Sequence, residues 1–91
     1  AMHREISGEI AEQEQLLLHA METAKDLTRT IIPAYKQVLE RYTANFQTNQ
    51  SSINDVLRSA QMLAMKEEEL VMAQEEQMMI VAKIRLLIGE E

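Results

Sequence analysis

The amino-acid sequence predicts an all-α protein, built as a long antiparallel two-helix coiled-coil hairpin. Apolar residues recur at seven-residue spacing on both sides of the midpoint, which is typical of helices that pack along a seam. The composition is rich in helix-forming residues and contains few Gly, Pro or aromatic residues. A single run of six polar residues, Gln47 to Ser52, interrupts the apolar pattern. These observations together predict two helices joined by one turn.

The first helix is predicted over about residues 9–48, after a segment that ends in Ser7 and Gly8 and is expected to fray. Leu16 and Leu18 widen its apolar surface beyond one seam. This width fits either a broad core face in a bundle or a helix flanked on two sides, as in a barrel wall. The predicted seam consists of one heptad row and a companion row: Ile10, Leu17, Ala24, Ile31 and Val38, with Met21, Tyr35 and Tyr42.

Pro33 lies inside this helix, where it cannot donate a hydrogen bond to the Arg29 carbonyl. The apolar heptad nevertheless runs in phase from Ala24 through Ile31 to Val38. In-phase continuation predicts a kink at Pro33 and not an end to the helix. A neighbouring threonine hydroxyl, from Thr28 or Thr30, is available to the carbonyl groups near the kink.

The turn is predicted over residues 48–52. Asn49 is suited to the left-handed backbone conformation that ends many helices. Ser51 and Ser52 are both good N-cap residues for the helix that follows. With Ser52 as the cap, Asp55 is placed to accept a hydrogen bond from the Ser52 amide, as in a capping box.

The second helix is predicted over about residues 53–88, with Gly89 as its C-terminal stop. The acidic clusters Lys66–Glu69 and Glu75–Glu76 are expected to face solvent. A turn centred between Asn49 and Gln50 places Met21 level with Met78. The expected inward face of this helix is Ile53, Val56, Leu57, Ala60, Leu63, Ala64, Leu70, Val71, Met78, Val81, Ile84 and Ile88.

Composition and motifs argue against several classes of function. The net charge of −6 and the lack of a basic patch disfavour nucleic-acid binding. Cysteine is absent, and no apolar run reaches the length of a membrane-spanning helix. The two histidines, His3 and His19, have no spacing that suits a metal, and methionine thioethers are expected to pack and not to bind Cu(I). No set of catalytic residues is evident, so we expect neither an enzyme nor a bound cofactor.

The residues around the turn resemble a known family. They are similar to the C-terminal periplasmic hairpin of TolC-family outer-membrane efflux proteins. The similar residues are Ala34-Tyr35-Lys36-Gln37-Val38, then Ala44-Asn45-Phe46, then Ile53-Asn54-Asp55-Val56-Leu57 and Ala60. Leu86 and Gly89 resemble the end of the return helix in that family. Ile31-Ile32-Pro33-Ala34-Tyr35 is similar to heavy-metal-type members.

The resemblance implies a duct that crosses the outer membrane as a β-barrel and the periplasm as an α-helical barrel. It implies a hairpin tip, here Asn49, Gln50, Ser51 and Ser52, that contacts a periplasmic adaptor linked to an inner-membrane pump. Asp55 and Arg58 would then lie at the periplasmic mouth of the channel. The family usually has Gly where this chain has Asn49. Some members have an acidic residue where this chain has Arg58, so the resemblance does not imply a cation-selective channel.

Two further interpretations remain beside the duct. One is a dimeric coiled-coil interaction module of a scaffold or signalling protein, and the weaker one is an enzyme or metal-binding bundle. The start, Ala1-Met2-His3, is expected to be a cloning remnant ahead of an internal fragment of a larger protein. Apolar residues beside the seam predict that the isolated chain self-associates, as an antiparallel four-helix bundle.

Overall fold

Two long helical arms pack side by side in antiparallel directions, as the sequence predicts. The computed structural model describes the backbone of residues 2–89 and the side chains of residues 5–89. The first arm consists of α1 (Met2–Asp26), a π-helix (Leu27–Ile31) and α2 (Ile32–Gln47), and the second arm is α3 (Ile53–Gly89). The hairpin measures 69 × 16 × 14 Å. Over the described residues, every helix falls short of the length and apolar character that a membrane crossing requires.

The first arm begins earlier than the sequence predicts. α1 starts at Met2 and includes Ser7 and Gly8, which were expected to fray. Ile6 and Ile10 are both half-buried on the side that faces α3. The partial burial of Ile6 and Ile10 offsets the weak helix propensity of Gly8, which amounts to about 0.5–1 kcal/mol relative to Ala. The expected cloning remnant Ala1-Met2-His3 has no described side chains.

The seam on α3 differs from the predicted inward face. Most of its buried and half-buried residues follow alternating steps of three and four: Val56, Ser59, Leu63, Lys66, Leu70, Ala73, Gln77, Ile80, Ile84 and Leu87. Half of the predicted face is exposed instead, namely Ile53, Leu57, Ala64, Val71, Met78 and Ile88. The cause is that α3 carries two apolar rows side by side, and the predicted face combined residues from both. The other residues of the acidic clusters are exposed as predicted, but Lys66 is half-buried in the seam.

The seam on the first arm changes register at the π-helix. Before it, residues at alternating steps of four and three face α3: Ile6, Ile10, Gln13, Leu17, Ala20, Ala24 and Leu27. Ile31, the last residue of the π-helix, is half-buried as predicted. After it, the inward residues are Ile32, Tyr35 and Leu39, while Val38 is exposed. The expected in-phase continuation to Val38 is therefore wrong, because the π-helix adds one residue to the heptad.

The backbone at this point has the wider hydrogen bonding of a π-helix. The Ile32 amide donates to the Leu27 carbonyl, five residues earlier. The Thr28 hydroxyl donates to the Ala24 carbonyl at 2.8 Å, one turn before the irregular backbone. Pro33 follows directly in the first turn of α2, where a missing amide proton is tolerated.

The register between the arms follows from the position of the turn. Met21 and Met78 line the same groove, and Thr23 and Glu76 line another on the hairpin. This agrees with the expected placement of Met21 level with Met78. The seam between the arms is thin: it includes small or polar buried residues such as Gln13, Ala20, Ser59 and Ala73. Within the described part of the chain, no large side chain is fully buried.

Candidate functional site

The end of α2 is closed mainly by backbone hydrogen bonds of Asn49 and Gln50. Asn49 adopts the left-handed conformation predicted for it, with φ of 62°. The Gln50 amide donates to the Asn45 carbonyl at 2.7 Å, and the Asn49 amide donates to the Phe46 carbonyl at 3.1 Å. This pair of bonds is a Schellman motif, which satisfies the last carbonyl groups of the helix. The bonds that hold the turn therefore come from backbone atoms of Asn49 and Gln50.

The start of α3 is closed by the predicted capping box. The Asp55 amide donates to the Ser52 hydroxyl at 3.2 Å, and the Ser52 amide donates to the Asp55 carboxylate at 3.4 Å. Each residue thus supplies the partner for an amide that the helix leaves without one. The carboxylate also lies in the first turn, where the helix dipole favours negative charge.

The four predicted tip residues lie together at one end of the hairpin. Asn49, Gln50 and Ser52 are exposed, and Ser51 is half-buried. The Schellman motif of α2 and the capping box of α3 flank the loop on its two sides. The arrangement is a short polar surface on a rigid support, which is where recognition residues concentrate in proteins.

Asp55 and Arg58 line a common groove just behind the tip. The groove has a volume of about 240 Å³, and its other lining residues are Tyr35, Val38, Tyr42, Ser59 and Met62. The expected i, i+3 ion pair between Asp55 and Arg58 does not form within the described residues, because the Asp55 carboxylate turns back to the Ser52 amide. Arg58 remains exposed and gives the groove a positively charged edge beside the half-buried Asp55.

Three apolar residues near the tip were not predicted as part of the site. Phe46 is 41% exposed, Ile53 is 48% exposed and Leu57 is 53% exposed. The heptad pattern had placed Ile53 and Leu57 in the seam. A strict alternation of steps of three and four residues, counted back from Leu87, would have placed Ile53 and Leu57 outside the seam. They add exposed apolar area beside the polar tip.

A second charged and aromatic contact lies further along the seam. The Lys66 ammonium group lies 5.7 Å from the centroid of the Tyr35 ring and 3.3 Å from a Glu69 carboxylate oxygen. The lysine spans the seam with its aliphatic stem and keeps its charge at the edge. It joins the two arms near the groove that Asp55 and Arg58 line.

The described residues contain no group of three His, Asp or Glu side chains that could hold a metal ion. His19 is exposed, and His3 lies outside the residues with described side chains. The methionines Met62, Met65, Met72, Met78 and Met79 are all exposed along α3.

Comparison with protein families, with characterised proteins and with solved structures finds no match to this chain.

Proposed function

We propose that the hairpin is part of the periplasmic α-helical barrel of a bacterial outer-membrane efflux duct. In this proposal its tip docks a periplasmic adaptor, which links the duct to an inner-membrane pump. The observation that carries the proposal is the combination of a rigid polar tip with exposed apolar rows on both sides of the α3 seam. A helix that packed only against its hairpin partner would need one apolar row, whereas a helix in a barrel wall has neighbours on both sides.

The turn residues support the same proposal through their resemblance to TolC-family hairpins. Asn49 supplies the left-handed conformation that the family usually obtains from Gly. Asp55 and Arg58 share one groove directly behind the tip. In the assembled duct we assign Asn49, Gln50, Ser51 and Ser52 to adaptor contact, and Asp55 and Arg58 to the charge of the channel mouth.

The proposal is tested in cells that depend on the full-length protein for drug or metal resistance. Ser51→Arg should lower resistance while the protein is expressed and assembled normally, because a bulky charge at the tip disturbs adaptor contact. Glu68→Arg, an exposed change on the middle of α3, is the matched control and should leave resistance unchanged. Normal export by the Ser51 variant, together with lost export by the Glu68 variant, would contradict adaptor docking at the tip.

A second experiment addresses the channel mouth. Asp55→Ala removes half of the capping box and should cost about 1 kcal/mol of stability, so the hairpin stays folded. The same change should alter the conductance of the full-length protein in a planar bilayer. Ser52→Ala is the control, since it removes the other half of the capping box without removing a charge. Equal conductance for both variants and the parent protein would exclude Asp55 from the mouth.

The alternative function is a dimeric coiled-coil interaction module. The regular seam of α3, with its alternating steps of three and four, is the observation that favours it. The sequence on either side of this segment in the gene separates the two proposals. Amphipathic β-strands and a second similar hairpin would support the duct, and a signalling domain would support the module.

A further inference from the structure

The isolated hairpin exposes more surface than a compact protein of its mass. Its accessible surface is 7039 Å². A compact monomer of 10.5 kDa is expected to expose about 5,400 Å². The excess of about 1,600 Å² per chain is as large as the total area buried in a standard protein–protein interface. Much of it is apolar, since sixteen large apolar residues are exposed among residues 5–89 alone. The surface is therefore sufficient for association through more than one face.

One side of the hairpin has an apolar groove with a basic edge, which we call the basic face. Leu17, Met21, Met78 and Val81 line it, with Arg85 at its edge. Met21 also lines the adjoining groove on the first arm, whose edge carries Lys25 and Arg29 beside one acid, Glu22. Three basic groups thus surround an apolar floor on this side.

Another groove has an apolar floor with an acidic edge, which we call the acidic face. Thr23, Met72, Ala73 and Met79 form the floor, and Glu69, Glu75 and Glu76 form the edge. Glu69 is partly neutralised by Lys66, whose ammonium group lies 3.3 Å away. Glu75 and Glu76 are exposed and supply the remaining negative charge.

The two faces lie on different sides of the hairpin and at the same height along it. A helix turns by about 100° per residue, which places Met78 and Arg85 on one side of α3 and Met72 and Met79 largely on the other. The antiparallel register places Lys25 about level with Glu75 and Arg29 about level with Glu69. Opposite charges therefore occur at matching heights on two faces of the same chain.

We propose that the basic face of one hairpin docks the acidic face of a second copy, with both tips pointing the same way. Lys25 and Arg29 then meet the acidic edge of the neighbour, and methionines from both copies fill the interface. Methionine suits such a surface because its flexible side chain adapts to irregular gaps. The contact is heterologous, since each copy uses a different face. Contacts at equal heights give no rise between neighbours, and such an array closes into a ring when the rotation between copies divides a full turn.

This inference does not rest on the efflux proposal, because it concerns only how copies of this chain recognise each other. It also differs from a two-fold symmetric four-helix bundle, in which both copies would use the same face. A failure of adaptor docking would leave the association of the isolated hairpins unchanged. The association in turn is measured on purified chains without any export assay.

Charge reversal with sedimentation equilibrium tests the pairing of the two faces. The double variant Lys25→Glu with Arg29→Glu should raise the dissociation constant for self-association by roughly tenfold. Glu75→Lys with Glu76→Lys should have a similar effect. An equimolar mixture of the two variants should associate nearly as tightly as the parent chain, since each then offers the charge that the other needs. The control, Glu40→Lys with Glu68→Lys, should associate like the parent chain.

Cysteine cross-linking tests which faces touch, because the chain contains no cysteine of its own. Lys25→Cys and Glu76→Cys variants are mixed and oxidised, and the products are separated by mass. Disulfides between the two different variants should exceed those between two copies of the same variant. Predominance of disulfides between identical variants would show a two-fold dimer and overturn the inference. A mixture of the charge variants that remains monomeric, or a parent chain that is a folded monomer at high micromolar concentration, would also overturn it.

Discussion

The two arms of the hairpin differ in length and accommodate their shared seam in different ways. α3 runs for 37 residues with an unbroken heptad pattern. The first arm is divided into α1 of 25 residues and α2 of 16 residues by the π-helix. The difference places the change of register in the first arm, whose backbone widens where α3 stays regular. The adjustment occurs just before Pro33, where regular helical hydrogen bonding is already interrupted.

Because α3 has no π-helix, we expect that it cannot accommodate an extra residue as the first arm does. Insertion of one Ala after Glu68 rotates the rest of α3 by about 100° relative to the seam. Glu69, Glu76 and Lys83 then enter the seam, which should lower the free energy of unfolding by roughly 3 kcal/mol or more. Urea denaturation at fixed protein concentration measures the change, with Glu68→Ala as the control without an insertion. An unchanged midpoint for the insertion variant would show that α3 is as adaptable as the first arm.

A second prediction concerns the coupling between the π-helix and Pro33. Deletion of the exposed Thr30 should restore a continuous heptad and leave Pro33 inside a regular helix. In that background Pro33→Ala should raise the free energy of unfolding by about 3 kcal/mol, the usual penalty for an internal proline. In the undeleted chain the same substitution should change it by less than about 1 kcal/mol, since Pro33 lies in a first turn. Equal effects in both backgrounds, measured by urea denaturation, would rule out this coupling.

The turn at residues 48–52, which connects the two arms, provides a third prediction. Asn49→Ala should lower the free energy of unfolding by about 1–2 kcal/mol, because Ala is strained in the left-handed conformation. Asn49→Gly should retain most of the stability, since Gly adopts this conformation without strain. Gln50→Ala is the matched neighbour and should have little effect, because only the Gln50 backbone closes the turn. Thermal unfolding followed by circular dichroism distinguishes the three variants, and similar losses for Ala and Gly would contradict the assignment.

The smallest expected effect lies near the start of the first arm. Gly8→Ala should raise the free energy of unfolding by about 0.5–1 kcal/mol. An added Cβ at Gly8 would meet nothing within 4 Å, so the gain in helix propensity carries no steric cost. Ser7→Ala, at the preceding exposed residue, should give a smaller gain. A Gly8→Ala variant that melts like the parent chain would show that this segment contributes little to α1.

Much of the tip was predictable from local sequence. Asn49, Ser52 and Asp55 act within a few residues of their own positions, so their roles follow from short-range rules for ending and starting helices. The groove that joins Asp55 and Arg58 to Tyr35 and Tyr42 was not predictable in this way. It depends on which side of α2 faces α3, and that side is set only after the π-helix has shifted the register.

The sequence by itself determined two long helices, a turn at residues 48–52 and the approximate register between the arms. Helix propensity, the polar midpoint and the cap residues are sufficient for these features because each acts locally. Only the tertiary structure decided which row of α3 is buried. Two adjacent rows of α3 are similarly apolar. One contains Leu63, Leu70 and Ile84, and the other contains Leu57, Val71 and Ile88. Heptad periodicity alone does not determine which of two rows one position apart is buried. Packing against the first arm determines it, and the extra residue at the π-helix is part of that packing.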